Sequence, residues 1–173
     1  MKTLVIHPQD NTTKVLHIIY KDKKDWTIIN HNTSTSKLRK LIKEHDRIIM
    51  MGHGTPHGLL GYNRFVIDSS FVQLLREKKQ CVHIWCNADQ FIKKYNLKGF
   101  TTGMIISEQQ EADFCNVIAT SEEIDYSITL FAESIKNSIE LSSEEMCKKV
   151  ITDYNSENNT DVMKFNRDRI YFF

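Results

Sequence analysis

A histidine framed by glycines, Gly52-His53-Gly54, closes the apolar run Ile48-Ile49-Met50-Met51, and a cysteine, Cys86, closes the run Val82-His83-Ile84-Trp85. Histidine is a general base near neutral pH. Cysteine becomes a strong nucleophile once a base or a helix N-terminus favours its thiolate. Two neighbouring parallel strands ending at these residues would form a base–nucleophile pair, the equipment of a thiol hydrolase. Gly54 has no side chain, so its backbone N–H can approach a substrate closely and, with the N–H of Cys86, hold an oxyanion. Four of the six glycines, Gly52, Gly54, Gly58 and Gly61, fall in this one loop. The plainer reading stays open beside this one. A cysteine ending a strand is often a small buried hydrophobe, and a histidine between glycines can simply sit in a turn.

The elements that must position such a pair are legible as an alternation of strands and helices. Residues 4–6 and 15–20 read as strands joined in a hairpin, and 26–30 as a third extended run. Leu38, Leu41 and Ile42 give residues 34–45 the spacing of an amphipathic helix, capped by Ser34 or Thr35. Residues 48–51 are apolar at every position, as in a strand buried on both faces. Residues 55–67 read as a small hairpin or loop, 69–79 as a helix capped by Asp68 or Ser69, and 82–85 as the next strand. A short helix over 88–97, a strand over 102–107 and helices over 121–140 and 142–155 follow. Residues 155–161 read as a polar loop and 169–173 as a last extended run.

This order predicts right-handed crossovers and an α/β fold: a three-layer sandwich with a mostly parallel central sheet flanked by helices, formed by residues 1–173 as one domain. In such sheets ligands bind at the carboxyl ends of the strands, where His53 and Cys86 both fall.

Composition narrows the classes. Among 173 residues, 26% are charged and 40% hydrophobic, with a net charge of +1, so whole-chain charge gives no reason to expect nucleic acid or an anionic membrane as partner. No apolar stretch approaches the roughly 20 residues of a membrane span. The N-terminus reads as a strand rather than a signal peptide, which makes a cytoplasmic protein with reduced thiols the expectation. No CxxC and no disulfide-rich spacing appear among Cys81, Cys86, Cys115 and Cys147.

Cys81, His83 and Cys86, with His53 or His57, invite a zinc reading. Strand alternation places Cys81 and His83 on one face and Cys86 on the other, so neither a metal nor another cofactor is expected. A phosphate-binding glycine loop is disfavoured too, because no Gly-Lys-Ser/Thr and no GxGxxG occurs.

The Gly52-His53-Gly54 turn after one apolar strand, with Cys86 ending the next, resembles the dyad of caspase-like cysteine peptidases, the group of caspases, metacaspases, legumain, gingipain and clostripain. There, His-Gly follows one central strand and the catalytic cysteine ends the following one. The resemblance implies a peptide or protein substrate, His53 and Cys86 as catalytic residues, Gly54 as oxyanion donor and a thioester intermediate. It also implies that the segment after the next strand lines the substrate pocket, where Glu108 and Glu111 would meet a basic side chain. Those acids equally suit the opening turn of a helix. The residues flanking Cys86, Trp85 and Asn87-Ala88-Asp89, differ from the small neighbours common in that group, so a different pocket is implied. A catalytically inactive member of the fold, acting as a binding or regulatory module, is the alternative. The oligomeric state is left open.

Overall fold

The computed structural model describes residues 1–156 and 160–173. Its strands in chain order begin with β1 (Thr3–Ile6), β2 (Thr27–Ile29), β3 (Arg47–Met51), β4 (Gly54–Thr55), β5 (Gly58–Gly61) and β6 (Arg64–Ile67), and continue with β7 (Gln80–Ile84), β8 (Phe100–Thr102) and β9 (Ile170–Phe172). The helices are α1 (Thr35–Glu44), α2 (Val72–Arg76), α3 (Ala88–Tyr95), α4 (Gln109–Phe114), α5 (Ser121–Ser138), α6 (Ser143–Asn155) and α7 (Asp161–Arg167). Among the described residues, six strands form the central sheet in the order β2-β1-β3-β7-β8-β9. Every pairing in it is parallel except β8 with β9. The fold is therefore a three-layer α/β sandwich.

Alternation along β3 builds the two outer interfaces. Ile48 and Met50 face one side, with Leu4, Ile6, Trp85, the α1 residues Leu38 and Ile42, and the α3 residues Phe91 and Ile92. Ile49 and Met51 face the other, with Val5, Val82, Ile84 and α5, α6 and α7 through Phe131, Val150 and Val162. All five β3 residues are buried, which explains why the strand carries no solvent face in its sequence. Burying one such side chain stabilises the fold by about 1.5–3 kcal/mol relative to leaving it exposed. Even Arg47, at the opposite end of β3 from the candidate site, is 1% exposed, and its guanidinium is held by both carboxylate oxygens of Glu140 and by Gln80.

Four expected elements differ. Residues 15–20 are no strand: Lys14–Ile19 form a 3-10 helix that buries Leu16 and Ile19, three positions apart, against α5. The hairpin expected between residues 4–6 and 15–20 therefore does not form; β1 pairs in parallel with β2 instead, and this helix lies in the crossover that joins them. The strand expected over 102–107 ends at Thr102. Ile105 and Ile106 are still buried, because the Asn166 side chain accepts from the Ile106 N–H at 2.7 Å and donates to its carbonyl at 3.0 Å. A side-chain amide thus replaces the strand partner. α2 is shorter than expected and follows a 3-10 turn, Ser69–Phe71. Part of the loop expected over 155–161 belongs to α6 and α7, and residues 157–159 lie outside the described residues. The glycine loop, for its part, is a separate three-stranded antiparallel sheet, β4-β5-β6.

Candidate functional site

Three loops leave the carboxyl edge of the sheet side by side, after β1, β3 and β7. The strand order reverses between β1 and β3, the place where open α/β sheets leave a crevice. Gly52, with φ at +138°, turns the chain out of β3 in a conformation that L side chains rarely adopt, and its N–H donates to the Ile84 carbonyl at 3.0 Å. That bond ties the end of β3 to the end of β7, immediately before His53 and Cys86. β7 stops at Ile84, so Cys86 sits in the turn rather than in the strand. Asn87 then takes a left-handed conformation (φ 63°, ψ 29°) and α3 begins. The sharp strand–turn–helix connection presents Cys86 at the sheet edge.

Trp85 braces the two loops. Its indole N–H donates to the Thr55 carbonyl at 3.1 Å, and its ring packs edge-on against Phe91. A methyl group at Gly54 would overlap the Trp85 ring. Glycine is therefore required at this position by the close approach of the indole. As alternation implies, Trp85 belongs to the apolar cluster on the α1–α3 side, while Ile84 belongs to the cluster on the other face.

His53 and Cys86 line the same cavity, of about 40 Å³, with Thr12, Thr13, Gly52 and Glu111 as further lining. Its apolar wall includes Leu16, Ile84, Ile105 and Phe131. The space suffices for a water or a methyl-sized group, so the cavity is narrow in the free protein.

His53 is held from the β1 loop. Its Nε2 lies 2.8 Å from Asp10 Oδ2 and 2.8 Å from Thr12 Oγ1. Asp10 Oδ1 meanwhile accepts from the backbone N–H and the hydroxyl of both Thr12 and Thr13, at 2.9–3.1 Å. Burial opposes the Asp10 carboxylate, but the hydrogen bonds from Thr13 and Thr12 and the neighbouring His53 outweigh it and hold its pKa at about 2. Asp10 is thus an anion at any pH near neutrality.

Cys86 is less prepared. Burial pushes its thiol up to about 11, the Glu111 carboxylate adds to the rise, and a backbone hydrogen bond at Ile105 only partly offsets both. At neutral pH the resting group is the thiol, and a base must take its proton as it attacks.

No family model matches the chain, and no curated protein matches it. Among solved structures, the chain is similar to the crystal structure of an NADPH-quinone reductase from P. pentosaceus, at 15% identity and a TM-score of 0.34, over 92% of this chain and 99% of that one. Similarity at that level carries no argument about ligand or reaction.

The remaining sequence candidates fall in different places. Glu111 lines the cavity, with Oε2 accepting from the Ser107 N–H at 2.7 Å and from its hydroxyl at 3.0 Å. Glu108 is the N-cap of α4 and is not among the lining residues described. Gly54 pairs with Leu59 in the small sheet and is likewise outside the described lining. Exposed His57 sits in the β4–β5 turn, its N–H bonded to Thr55. Cys81 shares the α1–α3 face with Trp85, against which His83 packs at 5.5 Å. Among the described residues, no group of three His, Cys, Asp or Glu side chains is arranged to hold a metal ion. Sequence reasoning missed Asp10 and Thr12. The available signal was a polar run, Asp10-Asn11-Thr12-Thr13, just after the first strand.

Proposed function

We propose that this chain is a caspase-like cysteine peptidase whose His53–Cys86 dyad cleaves peptide bonds through a thioester. The observation that carries this reading is that adjacent parallel strands β3 and β7 deliver His53 and Cys86 to one cavity at the carboxyl edge of the sheet. That is the arrangement the sequence resemblance implies.

With Nε2 engaged by Asp10 and Thr12, Nδ1 is the ring nitrogen left to act as base. It takes the Sγ proton as sulfur attacks the substrate carbonyl carbon, and the carbonyl electron pair moves to oxygen. The N–H groups of Gly54 and Cys86 stabilise that oxyanion. Collapse breaks the C–N bond, and the imidazolium gives its proton to the leaving amine, which departs and leaves a thioester. A water then loses a proton to Nδ1 and attacks, and Cys86 departs as a thiol again. Glu111, with Oε1 outside the Ser107 bonds, would pair with a basic substrate side chain. A cation there also offsets the charge that raises the Cys86 pKa. Glu108 stands at the N-cap position of α4 with no side-chain cap bond, and it is given no role in this scheme.

A second reading, a non-catalytic binding or regulatory module, is favoured by the high Cys86 pKa. Incubating the protein with a diverse peptide library separates the two. Cleavage lost by at least about a thousandfold in Cys86→Ala and His53→Ala supports the peptidase. Peptides retained intact, or cleavage indifferent to Cys86→Ala, supports the module.

A further inference from the structure

We infer that Asp10 is the positioning residue of this site: it fixes the tautomer and orientation of His53, and a buried relay through Thr13, His7 and Tyr20 holds Asp10 in place. The catalytic consequence rests on the dyad reading above; the geometry does not.

The proton assignment follows from who can donate. An Asp10 carboxylate only accepts, so the proton in its 2.8 Å contact with His53 lies on Nε2. The Thr12 hydroxyl donates to Asp10 Oδ1 at 2.9 Å, so toward His53 its oxygen accepts a share of the same Nε2–H. The neutral ring is therefore the Nε2–H tautomer, with its lone pair on Nδ1. Without Asp10 nothing in these contacts enforces that choice, because a threonine hydroxyl can turn its proton toward Nε2.

The relay continues inward. Thr13 Oγ1 donates to Asp10 Oδ1 at 3.1 Å and stands 3.3 Å from His7 Nε2, while His7 Nδ1 stands 3.0 Å from the Tyr20 hydroxyl. One set of protons satisfies every contact: Tyr20 O–H to His7 Nδ1, His7 Nε2–H to Thr13 Oγ1, Thr13 O–H to Asp10. His7 and Tyr20 are almost completely buried, and both stay neutral in this scheme. A fully satisfied buried network has one low-energy arrangement, so the Asp10 loop is held to a single position although Asp10 itself is half-exposed.

The test uses protein labelled with 15N in histidine, with the His53 signals assigned from a His53→Gln spectrum. In the unaltered protein, with the His53 ring neutral, the proton is expected on Nε2. Asp10→Asn should move it to Nδ1, because the amide can donate to Nε2, and Asp10→Glu should keep it on Nε2. If the site cleaves peptides, kcat should fall about 10–100-fold in Asp10→Asn with KM little changed, with partial recovery in Asp10→Glu. A dominant Nδ1–H in the unaltered protein overturns the inference without relying on any variant folding. So does an unchanged tautomer in a folded Asp10→Asn protein. A tautomer shift in a protein that cleaves nothing would keep Asp10 as positioning residue and remove the peptidase reading alone.

Discussion

Cys86 and His53 differ in how ready they are to react. The histidine has partners on Nε2 and, among the described residues, none on Nδ1, whereas the thiol is held up to about 11 by burial and by Glu111. Alkylation of Cys86 by iodoacetamide in the free protein should therefore be slow at pH 7 and rise towards alkaline pH. Glu111→Gln should speed it several-fold at fixed pH, because it removes a charge that disfavours the thiolate. Mass-spectrometric time courses measure both, and an equal rate in the two proteins would show that Glu111 has no hold on the thiol. The shared place of His53 and Cys86 at the carboxyl edge of the sheet was legible in the sequence because each residue ends an apolar run. Asp10 was not, because its role depends on β1 lying beside β3, and a single sequence does not disclose strand order.

At the scale of elements, patterns with a strict period read correctly and side-chain substitutes for backbone did not. α5 and α6 were legible from periodicity, and each begins with a capping box, Thr120 with Glu123 and Ser142 with Glu145. The 3-10 helix at Lys14–Ile19 was misread because Val15, Ile18 and Ile19 are strand formers by composition, while its buried pair is spaced by three. Nor was it legible that Asn166, from α7, would end the β8 extension. Its amide satisfies both backbone groups of buried Ile106 and donates to the Ser127 hydroxyl at 3.0 Å. Asn166→Leu should cost about 2–4 kcal/mol in denaturant unfolding, since it strands buried polar groups. The segment over Ile105 and Ile106 would loosen with it, and hydrogen exchange at Ile106 should report that locally. A loss below about 0.5 kcal/mol would mean that the Asn166 bonds do not hold this segment.

Across the whole molecule, two buried histidines set the acid sensitivity. Burial pushes His7 and His83 down to about 4, against an ordinary value of 6.5. His83 is fully buried, with Nδ1 3.3 Å from the Phe100 carbonyl and Nε2 without a hydrogen-bond partner among the described residues. The unfolded chain binds these protons from pH 6.5 downward, and the folded chain only near pH 4. Stability should therefore fall as pH drops from 6.5 to 4, by about 1.4 kcal/mol per pH unit for each histidine. The lowered Asp10 works in a separate window, contributing above its ordinary 3.8 and lost as pH falls towards 2. Urea midpoints between pH 7 and 4 measure this, and a flat profile above pH 5 would contradict the burial of both rings. Among the described residues no helix is long and apolar enough to cross a membrane.

The central claim is that His53 and Cys86 form one reactive site, and an electrophilic peptidyl ketone tests it most directly. Protein treated at pH 7 with such a compound bearing a basic side chain, then digested and mapped by mass spectrometry, should carry the adduct on Cys86. The adduct should be lost in Cys86→Ala and slowed at least about a hundredfold in His53→Ala. Labelling spread evenly over Cys81, Cys86, Cys115 and Cys147, or labelling of Cys86 that is indifferent to His53, would contradict the claim.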